Sequence, residues 1–266
     1  MSTLAAHAKI NLALVVGPLR PDGKHEVTTV LQRISLTDEV AVERASDLRV
    51  EGFTGDTLVT RALTLLAEAA DVEPRWAVRI GKGIPVAAGL GGGSADAAAA
   101  LRLANETLDA PLSAGALHAV AASVGADVPF FLAQGPQLGE GDGGHLTSLD
   151  LPQGYTVVLL LPHGATKSST AAVYASFDAR NGPKGYERRR ARLLKALAAG
   201  DLVGLPPNDL GTSPLADELQ VHGAFRADLS GAGPAVYGLF GDRADADAAA
   251  REFASRGRIW VVTPAW

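Results

Sequence analysis

The stretch PVAAGLGGGSADAAAALRLAN, residues 85–105, decides how this chain is read. Gly89, Gly91, Gly92 and Gly93 fall within five positions, followed by Ser94, expected to cap a helix, and an alanine-dominated run. Glycine lets a backbone approach a ligand closely, and a helix N-terminus adds unpaired N–H donors and about half a unit of positive charge. The combination predicts an anion cradle, above all for phosphate. A glycine cluster before a helix can also be a plain flexible loop. Four glycines at a helix start cost backbone entropy, however, so their density points to a use.

Neither common nucleotide motif fits. A Walker A loop needs Gly-Lys followed by Ser or Thr at the helix start. Here Gly81-Lys82 is followed by Gly83 and lies upstream of the helix. Gly89-Leu90-Gly91 begins a dinucleotide fingerprint, but a long loop containing Pro85 separates it from the expected strand at 76–80. Asp109, at the distance of a ribose-binding acid, follows the helix rather than a second strand.

Composition narrows the classes. The 266 residues suit one large domain or two modest ones, with a formal charge of −5 that argues against a nucleic-acid partner. The basic run at 188–192 reads as a solvated helix face opposite Leu193, Leu194 and Leu197. With no cysteine there is no disulfide, thiolate metal site or cysteine nucleophile, and the six histidines show no zinc spacing. No signal pattern or membrane-length apolar run is present, so a cytoplasmic protein without a membrane partner is expected.

Periodicity predicts strands at 8–16, 39–44, 76–80, 155–161, 234–240 and 258–263. Helices are expected at 60–70, 97–105, from Ser113 to the stop at Gly125, at 187–199 before Gly200, and at 244–255. Without strict strand–helix alternation, α+β is preferred to a doubly wound sheet. Glycine-rich 135–144 reads as a hairpin or linker. A boundary near residue 150 gives domains 1–150 and 151–266.

Three further segments carry candidate chemistry. Lys9 sits inside the apolar strand Ala8-Lys9-Ile10-Asn11-Leu12, although a strand-end lysine can simply snorkel. Asp127, in Gly125-Ala126-Asp127-Val128-Pro129, lies between a helix stop and a proline, where an ordinary turn or capping acid is also at home. Ser230-Gly231-Ala232-Gly233 is a second small-residue loop able to approach a ligand.

Together these segments resemble the GHMP family of small-molecule kinases. The resemblance is carried by residues 8–12, Arg20-Pro21-Asp22-Gly23-Lys24-His25-Glu26, 89–98, 125–129, Asn208-Asp209-Leu210 and 229–233, in family order over nearly the whole chain. It implies a two-domain α+β fold, with an N-terminal ribosomal-protein-S5-like domain and a C-terminal ferredoxin-like domain. It implies transfer of the ATP γ-phosphate to the hydroxyl of a cytidine-diphosphate sugar alcohol in isoprenoid precursor synthesis, with Mg²⁺. Asp127 is then the general base and Lys9 its charged partner. Pro85, Gly89, Leu90, Gly91, Gly92, Gly93 and Ser94 hold ATP, and Ser94 reaches a phosphate or the metal, whose other ligands stay open. The resemblance places Asn11, Lys24, His25, Thr170 and Tyr174 at the acceptor and brings in the late loop of Ser230, Gly231 and Gly233.

Two positions depart from the family. Lys24 stands where a tyrosine usually stacks on cytosine, and Ala95 where a second serine is common. Losing one side of an aromatic sandwich costs about 1 kcal/mol. The alternatives are a GHMP kinase with a mevalonate- or homoserine-type acceptor, or a silent nucleotide-binding module. The Asp22-Gly23-x-His25 segment argues against the first, and retention of both Lys9 and Asp127 against the second. The partners expected are small molecules, with the chain a monomer or homodimer.

Overall fold

β1 (Ser2–Leu19) and β2 (His25–Arg44) are far longer than the strands expected at 8–16 and 39–44. Their middles are buried on both faces, so the two-residue alternation that marks a half-exposed strand is faint. Buried Thr28, Thr29, Gln32 and Arg33 blur it further in β2. A turn joins the two strands, with Arg20 N–H donating to Lys24 O at 2.7 Å and Gly23 at φ 79°.

The computed structural model describes residues 1–165 and 169–266. Two compact units emerge, each discontinuous in sequence. The first comprises Met1–Ala8, Leu36–Val86 and Gly91–Gln134, and the second Lys9–Ser35, Ala87–Leu90 and Gly135–Trp266. The break expected near 150 lies in residues 149–155, which carry no helix or strand. The units divide differently because β1 and β2 each run through both.

In the first unit, β2 pairs antiparallel with β4 (Trp76–Gly81), from Glu39 opposite Gly81 to Arg44 opposite Trp76, and β3 (Arg49–Glu51) pairs parallel to β4. Helix α1 (Leu58–Ala70) buries Val59, Ala62, Leu63, Leu66 and Ala67, the stripe that 3.6-residue periodicity dictates. Helix α2 (Gly92–Glu106) packs against α1 and against α4 (Val128–Leu132). Residues 95–101 of α2 are all buried, which accounts for the alanine run: small side chains let neighbours approach on every side. Helix α3 (Ala114–Val124) is capped as expected, with Ser113 Oγ accepting from Ala116 N–H. Gly125 ends it in extended backbone, φ 177°, not as a left-handed cap.

In the second unit, β5 (Gln137–Glu140) and β6 (His145–Ser148) form the expected hairpin, with β5 pairing to β2 at residues 29–31. A separate antiparallel sheet has the order β10-β7-β9-β8, built from β7 (Thr156–Pro162), β8 (Arg226–Leu229), β9 (Val236–Phe240) and β10 (Gly257–Val262). That order, with helices after β7 and β9, is the ferredoxin-like arrangement. Helices α5 (Thr170–Ala179), α6 (Tyr186–Ala198) and α7 (Pro214–Val221) follow β7, and α8 (Arg243–Glu252) follows β9. Leu219, Ala246, Ala249 and Phe253 pack with Val158, Leu160, Val236 and Phe240 in the core on this sheet. No helix among the described residues is long and apolar enough to cross a membrane.

Candidate active site

The helix of the glycine stretch starts earlier than expected. Gly91, at φ 71° in the left-handed region, is the residue before α2, and the helix begins at Gly92. Ser94 is therefore not the cap but the third helical residue. The first intrahelical bond runs from Ala95 N–H to Gly91 O at 2.9 Å. The N–H groups of Gly92, Gly93 and Ser94 thus form the donor end of the helix, where an anion is favoured. Pro85 precedes this stretch in the first unit and is half-buried.

A buried ionic cluster that the sequence reading missed lies under this turn. Lys82 Nζ donates to Asp38 Oδ2 and, at 2.8 Å, to Asp96 Oδ2. Asp38 Oδ1 in turn accepts from Gly83 N–H at 2.7 Å and Ile84 N–H at 2.8 Å. Burial pushes the Asp96 carboxyl up to about 7, against the pull of the Lys82 ammonium. Burial works against the charge on Lys82, but the hydrogen bonds from Asp38 and Asp96 win and raise its pKa. Two signals were present in the sequence. One was a lysine between glycines, and the other an aspartate inside an alanine run.

Asp127 is half-buried in the first unit, immediately before α4. It stands at the N-cap position of that helix, where its side chain makes no cap hydrogen bond.

In the second unit the structure gathers Lys9, Asn11, Gly89, Leu90 and the late loop. Lys9 is 4% exposed, and its Nζ donates to Asn11 Oδ1 at 2.6 Å. Asn11 Nδ2 donates to Thr29 Oγ1 at 2.8 Å, fixing the amide. Lys9 N–H donates to Leu90 O at 2.9 Å, tying β1 to the glycine stretch. A Cβ on Gly231 would stand 3.2 Å from Asn11 Oδ1 and 3.3 Å from Lys9 Nζ, so the late loop borders the ammonium.

The late loop supports the glycine stretch directly. Ser230 Oγ donates to Gly89 O at 2.9 Å, and Ala235 N–H to Ala88 O at 3.1 Å. Asn208 Nδ2 holds Gly231 O at 2.8 Å, which gives the Asn208-Asp209-Leu210 segment a physical role. Gly89 and Gly233 serve this backbone-to-backbone contact: a Cβ at either would come within 2.2 Å of the other segment.

Of the residues expected at the acceptor, Asn11 stands with Lys9, while His25 and Tyr174 meet each other in the same unit. Nδ1–H of buried His25 donates to Gly17 O at 2.8 Å, and its Nε2 stands 3.2 Å from Asp178 Oδ2. The Tyr174 ring stacks on His25 with centroids 5.1 Å apart. Thr170 begins α5 one turn before Tyr174 and is exposed. Lys24 Nζ donates to Asp142 Oδ2 at 2.5 Å and remains largely exposed.

Comparison with known proteins gives the family. The GHMP kinases N terminal domain matches residues 57–135, and the GHMP kinases C terminal domain matches residues 193–259. The 4-diphosphocytidyl-2-C-methyl-D-erythritol kinase of Anaeromyxobacter sp. is 40% identical over 94% of this chain and 85% of its own length. That of Pelotomaculum thermopropionicum is 38% identical over 96% of this chain and 93% of its own. A crystal structure of 4-(cytidine 5'-diphospho)-2C-methyl-D-erythritol kinase superposes with a TM-score of 0.82 at 31% identity, covering 100% of both chains. A mevalonate kinase structure, at TM-score 0.73 and 14% identity, shares the fold. The chain belongs to the 4-diphosphocytidyl-2-C-methyl-D-erythritol kinase family of GHMP kinases.

Proposed function

We propose that this chain transfers the γ-phosphoryl group of ATP to the 2-hydroxyl of 4-diphosphocytidyl-2-C-methyl-D-erythritol, giving the 2-phosphate and ADP. The reading rests above all on the full-length likeness to kinases of that name. Phosphoryl transfer is governed by alignment and electrostatics rather than by covalent help from the protein. In this reading Asp127 accepts the hydroxyl proton, and Lys9 stabilises charge on the nucleophile or on the phosphoryl group in transit. Asn11, bonded to Lys9 Nζ, holds that ammonium in place. The α2 N-terminus and residues 85–94 receive the ATP phosphates. We also read the chain as cytoplasmic and as two family domains meeting near residue 150.

Among the described residues no group of three or more His, Cys, Asp or Glu side chains is placed to hold a metal. Mg²⁺ would enter with the ATP phosphates, with the Ser94 hydroxyl as a candidate protein ligand, and would supply neutralising charge there. A coupled ADP-release assay tests the function. Turnover is expected with the cytidine-diphosphate substrate and not with mevalonate or homoserine; turnover with either control alone overturns the acceptor assignment.

On the acceptor side, the cytosine edge competes with Asp178 for His25 Nε2, and Tyr174 offers its ring to the base. Lys24 is the departure with a measurable consequence. Lys24→Tyr releases Asp142 and restores an aromatic face, worth about 1 kcal/mol of stacking. The acceptor KM is expected to fall about fivefold, by the same stacking energy. An unchanged KM would place position 24 away from the base.

A further inference from the structure

Lys82 lies outside the catalytic pair, yet it neutralises the ground beneath the phosphate grip. Asp38 is wholly buried and Asp96 nearly so, while Lys82 is 17% exposed. Both acids are close to the first turn of α2. Asp96 follows Gly92 by four residues and so shares its helix face, one turn below. A Cβ on Gly92 would stand 3.4 Å from Asp38 Oδ2. Ionised carboxylates at that range, Asp96 among them above its pKa of about 7, oppose an arriving triphosphate, and weak dielectric screening inside the protein makes the opposition stronger than in water. Asp38 is also needed where it is, since its Oδ1 accepts from the N–H groups of Gly83 and Ile84. Removing the acids would loosen that backbone, so the fold keeps them and supplies a cation. Phe53 covers the other side of the ammonium, with its ring centroid 5.7 Å from Nζ.

We propose that Lys82 is a positioning residue that makes the α2 N-terminus able to take ATP phosphates, by balancing the charge of Asp38 and Asp96 beneath it. It touches neither substrate in this account. The inference rests on the reading that ATP phosphates bind at Gly92, Gly93 and Ser94. With both carboxyls ionised the cluster carries a formal −1 with Lys82 in place and −2 without it, so the contrast is read at about pH 8.5, above the Asp96 pKa of about 7.

The test measures ATP affinity calorimetrically and both KM values, alongside thermal unfolding to confirm a folded protein. Lys82→Met should raise the ATP Kd and ATP KM about tenfold or more, because it strands two buried carboxylates. The acceptor KM should change less than about twofold. Lys82→Arg should restore most of the loss, since it keeps the charge. The double variant Lys82→Met/Asp38→Asn returns the cluster to −1 and keeps an acceptor for the Gly83 and Ile84 N–H groups, so it should bind ATP better than Lys82→Met alone. A loss caused only by missing packing would not recover in that variant. Folded Lys82→Met with wild-type ATP affinity, or a double variant no better than the single one, overturns the proposal. Wild-type protein that binds no ATP overturns the kinase reading beneath it, an outcome distinct from the other two.

Discussion

Asp127→Asn is expected to lower turnover by about 10²- to 10⁴-fold, the range for removing a positioned general base, while ATP binding persists. The substitution keeps the shape of the side chain and removes its ability to take a proton. It should leave the local fold intact, since Asp127 gives no cap hydrogen bond to α4. That helix starts instead with Pro129 in its first turn and with Val128 N–H donating to Gly125 O at 3.1 Å. Single-turnover rates with saturating ATP, together with an ATP titration, separate chemistry from binding. A variant turning over at near wild-type rate would remove Asp127 from the mechanism.

The second large effect is structural and sits at Gly233. A methyl group there would lie 2.2 Å from Ala88 C and from Gly89 N, and 2.3 Å from Ala88 O. These are backbone atoms, which cannot swing aside as a side-chain tip can. Gly233→Ala should cost about 3 kcal/mol or more in denaturant unfolding, the upper end for overpacking, and raise the ATP KM. Gly115→Ala is the matched control, for a Cβ there meets nothing within 4 Å. Placed near the start of α3, that alanine should stabilise the fold by about 0.5–1 kcal/mol. If Gly233→Ala unfolds at or above the wild-type midpoint, the close approach of the two loops is wrong.

Much of this molecule was legible from its residues, and the failures have physical reasons. Helix α1 announced itself because one face alone is buried, so Leu63, Leu66 and Ala67 stand out at helical spacing. Strand β7 was readable as a short continuous aliphatic run. Most of β2 was not, because buried threonines, Gln32 and Arg33 interrupt the apolar pattern and take their partners from distant segments. The cap expected at Ser94 lies three positions earlier, at Gly91, because glycine is a poor helix former by preference and tertiary packing of α2 outweighs that preference here. The glycine stretch, Lys9 and the late loop were visible as separate signals. That Ser230 holds Gly89, and that Gly231 borders Lys9, depends on approaches across more than a hundred residues, which no local pattern carries. Lys82 stands out in the sequence only as part of a failed Walker motif, and its partners lie 44 and 14 residues away.

The bracing of the glycine stretch by the late loop also sets an order of events during synthesis. Ser230 reaches Gly89 across 141 residues, and the Tyr237 hydroxyl donates to the carbonyls of Asn11 and Leu12 across 226 and 225. Chain leaving the ribosome folds from its N-terminal side, and contacts of long separation close last. A nascent chain that stops short of the late loop therefore holds Lys9 and all four glycines of the stretch, yet lacks the Ser230 hydroxyl that holds Gly89. The bracing of residues 89 and 11–12 closes only once residues 230–237 have left the ribosome.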